Sequence, residues 1–360
     1  MASNPPKNLD SQALNLLRFP LAIVIIAIHI FSDMPTGYNT SDFPIFSAVT
    51  SFLRAFLQFQ SVPIYFFISG FVFFLGLKTW DTNKWINKIK NRKNSLFIPY
   101  LVWNGLCLLL LLVYYRDFTN LNLKNILSCF YGYNGQITGT SPSSMPVNYP
   151  LWFLKDLMIL VLFTPLLWKL LKKSGKVTLL SFAIIWCLKY FHVIDFYIPA
   201  QGLFFFSFGG YMSLNGKNMI TEFGKVSKLS TYGYIILGIL AMYFYNADPH
   251  IFKILNFALI ILGLFFAFNL SAWLLEKGYC KVNEFLSQAS FFMYVSHALI
   301  ISTIFKILVK ILRPVSDISW LAIYILDLAL TTAILLSAYY LMSKYLPKLV
   351  TILTGRKSKY

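Results

Sequence analysis

Apolar runs close to twenty residues long, each closed by a short polar stretch, recur from residue 12 to residue 342. A helix needs about 20 residues to cross a hydrocarbon core of ~30 Å. The pattern therefore predicts an all-α, polytopic integral membrane protein. We place its ten spans at 12–31, 60–77, 96–115, 151–171, 177–193, 198–214, 231–246, 251–274, 289–311 and 319–342. Before the second span, Ser47–Gln60 carries Phe52, Phe56 and Phe59 at helical spacing. Such a piece lies in the interface or extends the second helix outward. Inside that span Ser69-Gly70 is a small pair of the kind that lets two membrane helices approach closely.

Composition agrees with this reading: 58% of residues are hydrophobic and only 12% are charged, where a soluble chain has nearer 25%. A formal charge of +18 invites a nucleic-acid partner, but the basic residues sit in short loops between spans. Alternate segments, starting with the N-terminal tail, hold 21 Lys and Arg, whereas the intervening segments and the adjoining end of the ninth span hold far fewer: Arg54, Arg116, Lys124, Lys306, Lys310 and Arg313. That bias is topological, and it puts both termini in the cytoplasm and favours anionic leaflets over nucleic acid as the partner of the positive charge. The four cysteines have no paired spacing, so no disulfide framework is expected. The first apolar run is too long for a signal-peptide core and no small-x-small cleavage site follows it, so it is expected to stay attached. Residues 1–11 read as a disordered cytoplasmic tail, 12–343 as one ten-helix membrane domain, and 344–360 as a basic cytoplasmic tail.

Ionisable groups inside spans are costly and usually face a bundle interior or a watery cavity. The first span holds Arg18 and His29, with Asp33 just beyond. Eleven residues are three turns plus about 20°, so Arg18 and His29 share one stripe ~16 Å apart along the axis, and Asp33 follows one turn later. The plainer reading is an arginine snorkelling to headgroups and a histidine bonded between helices. The functional reading is a pathway or a site. Further candidates are Arg54 ahead of the second span and the basic loop Lys84–Ser95, an anchor that can also form a cationic lip for phosphates. Trp152, Lys155 and Asp156 open the fourth span; Lys189 and Asp327 lie deeper, without an assignable partner. In the ninth span Tyr294 and His297 are three apart and share a face, with His297 expected near mid-membrane. The polar, Tyr-rich exterior segment 116–150 suits sugar stacking as well as ordinary loop. No Gly-rich phosphate loop, metal-ligand spacing or nucleophile elbow occurs, and no metal is expected.

Four stretches carry a family resemblance: Leu17-Arg18-Phe19 with His29; Val62-Pro63-Ile64-Tyr65-Phe66-Phe67-Ile68-Ser69-Gly70-Phe71 preceded by Arg54; Leu151-Trp152-Phe153-Leu154-Lys155-Asp156-Leu157; and Ser290-Phe291-Phe292-Met293-Tyr294 with His297. In this order, spread over nearly the whole chain, they resemble the bacterial acyltransferase-3 membrane acyltransferases. The resemblance implies transfer of an acyl group, acetyl or another short chain, from cytoplasmic acyl-CoA to a hydroxyl of an extracytoplasmic or envelope glycan, in the bacterial inner membrane. It implies His29 as the catalytic residue and Arg18 and Arg54 as donor-binding residues. Lys155, Trp152, Tyr294 and His297 are then candidates for substrate binding, and Asp33 for orienting His29. The chain departs from the family at Asn15, where many members have an acid, and at Lys155-Asp156, where arginine or a Glu-Tyr pair is common. A histidine can act as general base on the hydroxyl or carry the acyl group itself, and both remain open. The rival readings are a multi-span transporter or glycolipid exporter, and a membrane module without catalysis. No paired interrupted half-helices support the transporter.

Overall fold

A computed structural model describes residues 9–30, 42–53, 56–57, 60–116, 121–132 and 145–356. Sixteen α-helices follow one another among these residues, with no strand between them: α1 Leu9–Ile30, α2 Pro44–Leu53, α3 Ser61–Phe74, α4 Thr82–Arg92, α5 Ile98–Tyr115, α6 Leu123–Tyr131, α7 Trp152–Leu162, α8 Thr164–Tyr190, α9 Ala200–Leu214, α10 Met219–Gly224, α11 Ser227–Ala247, α12 Pro249–Glu276, α13 Glu284–Ser296, α14 Ile301–Leu312, α15 Asp317–Tyr345 and α16 Pro347–Thr354. Four stretches are long and apolar enough to cross a bilayer as continuous helix: α1, the joined stretch Thr82–Tyr115, α12 and α15. The bent pairs α7–α8 and α13–α14 bring the number to six by length and composition. Helices α3 and α9, with 14 and 15 residues, rise only ~21–23 Å.

The helices cluster into two compact units that interleave along the chain. The first comprises 1–82, 163–288 and 314–322. Its centre is the pair α3–α9, which pack at backbone contact. A Cβ added to Gly70 would stand 1.9 Å from the Phe206 carbonyl oxygen, and one added to Gly209 would stand 2.1 Å from that of Phe67. The Ser69-Gly70 pair thus packs as small residues in membrane helices do. Around it, the rings of Phe67, Phe208, Phe223 and Phe268 meet with centroids 5.2–5.6 Å apart where Phe67 is a partner, a spacing at which edge and tilted aromatic pairs are favourable. Helix α1 packs on α3, α10 and α12. Its Asp10 carboxylate accepts the Met219 and Ile220 N–H groups, each at 3.1 Å, and so caps α10 from a distant part of the chain. Asp317 does the same for α2, accepting the Phe46 N–H at 2.7 Å.

The second unit comprises 83–162, 289–313 and 323–360. Within the expected basic tail, α16 is a packed helix: Val350, Leu353 and Thr354 are buried, and the Trp103 indole donates to the Leu353 carbonyl at 3.0 Å. Gly355 turns the chain with φ +66, and its Cα lies so close to Asn94 and Ser95 that a Cβ would collide with their backbone.

Two expected spans are not straight. The chain bends by 65° between α7 and α8, at Phe163; Pro165 in the first turn of α8 cannot donate a backbone bond, which ends one helix and suits the start of the next. Helix α8 itself breaks at Ser174 (φ −148, ψ 49), between the two expected segments 151–171 and 177–193. The ninth segment bends by 58° after a 3₁₀ turn at His297–Leu299. His297, expected in mid-helix, therefore sits where the helix stops.

Candidate active site

The sequence candidates divide between the two units. In the first, Arg18 and His29 lie on α1, which continues through an internal Pro20 between them; both are half-buried, next to the buried stripe Leu14, Leu17, Leu21 and Ile25. The helical rise sets them ~16 Å apart along the axis. Tyr65 of α3 donates its hydroxyl to the Arg18 carbonyl at 2.8 Å. This bond fixes α1 against α3 at the level of the guanidinium's own residue. Asp33 and Arg54 lie outside the described residues.

The second unit holds Trp152, Lys155, Tyr294 and His297, and ties them together through main-chain carbonyls. Lys155, 7% exposed, donates from Nζ to the Tyr131 carbonyl at 3.1 Å and stands 5.1 Å from the centroid of the Tyr131 ring. A buried ammonium requires such partners, since leaving a charge without them costs far more than the ~2–7 kcal/mol of an unpaired neutral polar group. Asp156, also 7% exposed, follows it on α7. Tyr294 donates its hydroxyl to the Pro150 carbonyl, just ahead of α7, and its ring meets Phe153 edge-on at 6.1 Å. Trp152, between these two anchors, is half-buried.

His297 is fully buried, with Nδ1 2.7 Å from the Tyr294 carbonyl and 3.3 Å from that of Met293. A carbonyl only accepts, so Nδ1 carries a proton in these contacts. Both carbonyls belong to the last turn of α13, directly ahead of the 3₁₀ turn that begins at His297.

Two asparagines complete the set, and sequence reading missed both. Asn148 donates from Nδ2 to the Val295 carbonyl at 3.1 Å, and its backbone N–H donates to Asn104 Oδ1 at 3.1 Å. Asn104 in turn donates to the Tyr100 carbonyl at 2.9 Å. Segments 148–153 and 294–297 are thereby joined at three points. The signal was available in part: Asn104 is a carboxamide inside an apolar run, and buried polar groups in such runs are normally bonded to another element. The buried Asp327 of α15 receives the Thr331 hydroxyl at 3.1 Å. Lys189 falls in the last turn of α8, where a cation meets the helix C-terminus favourably.

With this geometry in hand, comparisons with known proteins add three findings. A family described as "Acyltransferase domain" matches residues 11–340. The chain is similar to the "Succinoglycan biosynthesis protein ExoH" of Rhizobium meliloti (strain 1021), with 25% identity over 367 residues that cover 97% of this chain and 93% of the relative. No solved structure matches.

Proposed function

Because the chain belongs to the acyltransferase-3 family, we propose that it is a membrane O-acyltransferase moving an acetyl or other short acyl group from cytoplasmic acyl-CoA to a hydroxyl of an extracytoplasmic or envelope glycan. The observation that carries this reading is the family match over 11–340, combined with an arginine and an imidazole eleven residues apart on one unbroken apolar helix. The relative's name, a succinoglycan biosynthesis protein, supports a polysaccharide acceptor. The charge bias of the loops supports ten spans with both termini cytoplasmic, and the proposed membrane is the bacterial inner membrane. Lys90 and Ser358 are then cytoplasmic and Gly139 exterior. Single-cysteine labelling in intact cells checks this, and labelling at position 90 by an impermeant reagent overturns it.

Arg18 holds the polar end of the donor, with Arg54 as a second cation. The thin pantetheine arm then carries the thioester toward His29, ~16 Å further along α1. As general base, His29 takes the proton of the acceptor hydroxyl while its oxygen attacks the thioester carbonyl; the C–S bond breaks and the thiolate of CoA leaves, to be protonated. As acyl carrier, the imidazole nitrogen attacks first, releasing CoA, and the hydroxyl then takes the acyl group from the ring. Asp33 is proposed to hold the second ring nitrogen. Lys155, Trp152, Tyr294 and His297 bind the acceptor: a fixed cation, amphipathic rings and an imidazole are suited to sugar hydroxyls.

Purified protein given acetyl-CoA and a glycan extract, assayed for free CoA, tests the reading. Release that depends on the glycan and disappears in His29→Ala supports it. No release with any acyl-CoA, alongside movement of a glycolipid in vesicles, replaces it with the exporter. Asp33→Asn should lower turnover while leaving the KM for donor little changed.

A further inference from the structure

The first unit contains a cavity of about 250 Å³ between α9, α10, α11 and α12. It is smaller than the ~300–1,000 Å³ usual for small-molecule sites, and its volume suits a stretch of hydrocarbon chain. Its floor is three phenylalanines in mutual contact: Phe208–Phe223 at 6.2 Å, Phe223–Phe265 at 4.8 Å and Phe208–Phe265 at 6.3 Å. Leu262 and Leu229 form its sides. Ser230 on the wall is already satisfied, since its hydroxyl donates to the Ser227 carbonyl at 3.0 Å and accepts from Asn269 at 3.2 Å. Apart from Lys217 and Glu222 the lining is largely apolar, and such a surface takes apolar guests.

One rim is strongly basic. Lys217 lines the cavity, its Nζ 5.6 Å from the Tyr211 ring centroid, and its N–H is bonded to the Met212 carbonyl at 3.0 Å. Lys172 reaches the Leu214 carbonyl at 3.4 Å. A Cβ on Gly216 would lie 3.6 Å from the Lys78 ammonium. Three ammonium groups from separate parts of the chain therefore gather around the 214–217 turn. Favourable carbonyls at the C-terminus of α9 draw them there in part. Three cations exceed what one helix end neutralises, with its ~0.5 negative charge. Glu222, the carboxylate on the cavity wall, is bonded to Lys225 at 2.9 Å; this hydrogen bond first, and then the charges of Lys225 and Lys217, hold it below the usual carboxylate range.

We propose that this groove binds one anionic phospholipid, with an acyl chain in the phenylalanine-floored cavity and the headgroup phosphate among Lys217, Lys172 and Lys78. The inference goes beyond acyl transfer and needs only that α9, α11 and α12 lie in a bilayer. The site would hold the basic turn at the leaflet surface, as juxtamembrane lysines do on anionic lipid.

Native mass spectrometry of the full chain, purified in detergent and titrated with phosphatidylglycerol or phosphatidylcholine of equal chain length, tests it. The parent should retain one phosphatidylglycerol in preference to phosphatidylcholine. Lys217→Gln should weaken that retention about fivefold, while Lys281→Gln, the same charge change in another loop, should not. Leu262→Trp fills the cavity and should abolish retention of the tight lipid; Leu229→Trp, at a position 68% exposed, does the same from the rim without burdening the core. Equal retention of the two lipids by the parent, undiminished retention in both tryptophan variants, or an equal loss in Lys281→Gln overturns the site. So does displacement of the bound lipid by acyl-CoA, which would assign the groove to the donor. Loss of lipid preference with CoA release intact would leave the acyl-transfer reading standing.

Discussion

The two units hold their candidate residues in opposite ways. In the first, Arg18 and His29 hang from one continuous helix, and their separation is fixed by helical rise alone. In the second, Lys155, Tyr294 and His297 lie in the first or last turns of helices or at a 3₁₀ turn, and each side chain is held by a main-chain carbonyl at or near a helix end. A regular helix gives a ruler, at the cost of offering side chains few backbone acceptors. A broken one offers acceptors, and can do so at membrane depth only where protein groups satisfy the freed backbone. The ruler suits a donor whose reactive carbon lies far from its phosphates. The fixed acceptors suit recognition of a smaller polar group in a set orientation.

The sharpest way to break this contrast is to remove each imidazole. His29→Ala should lower glycan-dependent CoA release by about 10²–10⁴-fold, the span typical of a lost general base; loss of an acyl carrier would be at least as severe. His297→Ala should act mainly on the KM for acceptor. Steady-state kinetics on both, matched for size-exclusion profile, decides the point. Transfer that survives in His29→Ala and vanishes in His297→Ala would exchange the roles of the two units.

Next in size is the cation on the ruler. Arg18→Ala should raise the KM for acyl-CoA by an amount equivalent to ~2–5 kcal/mol, the cost of losing one partner of a desolvated charge contact, with CoA binding weakened in parallel. An exposed anchor would be worth only ~0–1 kcal/mol. Calorimetric titration of CoA separates the two, and parental affinity in the variant would reduce Arg18 to an anchor.

A third effect concerns what keeps the ruler upright. The backbone contact of α3 with α9 leaves no room for a side chain at Gly70. Gly70→Val should push the helices apart and destabilise the first unit by about 1–3 kcal/mol, as overpacking does. The Tm in detergent should fall, and donor affinity with it, because Tyr65 holds the Arg18 carbonyl from the same α3. An unchanged Tm would mean the helices part freely.

These three forecasts rest on features legible in the chain. The apolar runs place α1, α5, α12 and α15, and the Ser69-Gly70 pair announces close packing. The breaks were harder to read. Thr164-Pro165 sits in an apolar run that shows no change of periodicity at Phe163, and hydropathy is blind to direction. The partners of Lys155, Tyr294 and His297 are main-chain carbonyls of Tyr131, Pro150 and Tyr294. Every residue carries a carbonyl, so such partners have no sequence code. The side chain of Asn148 is a partial exception, but its target, the Val295 carbonyl, is again anonymous in sequence.

The smallest effect tests whether carbonyl anchoring serves recognition or only packing. Tyr294→Phe keeps the ring, and so its edge-on contact with Phe153, while deleting the hydroxyl that reaches Pro150. The backbone carbonyls of Met293 and Tyr294 that hold His297 are unchanged by the substitution. A lost hydrogen bond of this kind is worth ~0.5–1.5 kcal/mol net, so the fall in stability should be modest, and at most about tenfold in any equilibrium it controls. A purely structural role confines the loss to Tm. A role in positioning the acceptor predicts a second change: the KM for glycan rises several-fold, on the order of the same free energy, while the KM for acyl-CoA stays at its parental value. Donor and acceptor titrations on Tyr294→Phe, with Tm measured on the same preparation, separate the two. If the donor KM rises as much as the acceptor KM, Tyr294 does not discriminate between the substrates, and the assignment of the second unit to acceptor binding loses this support.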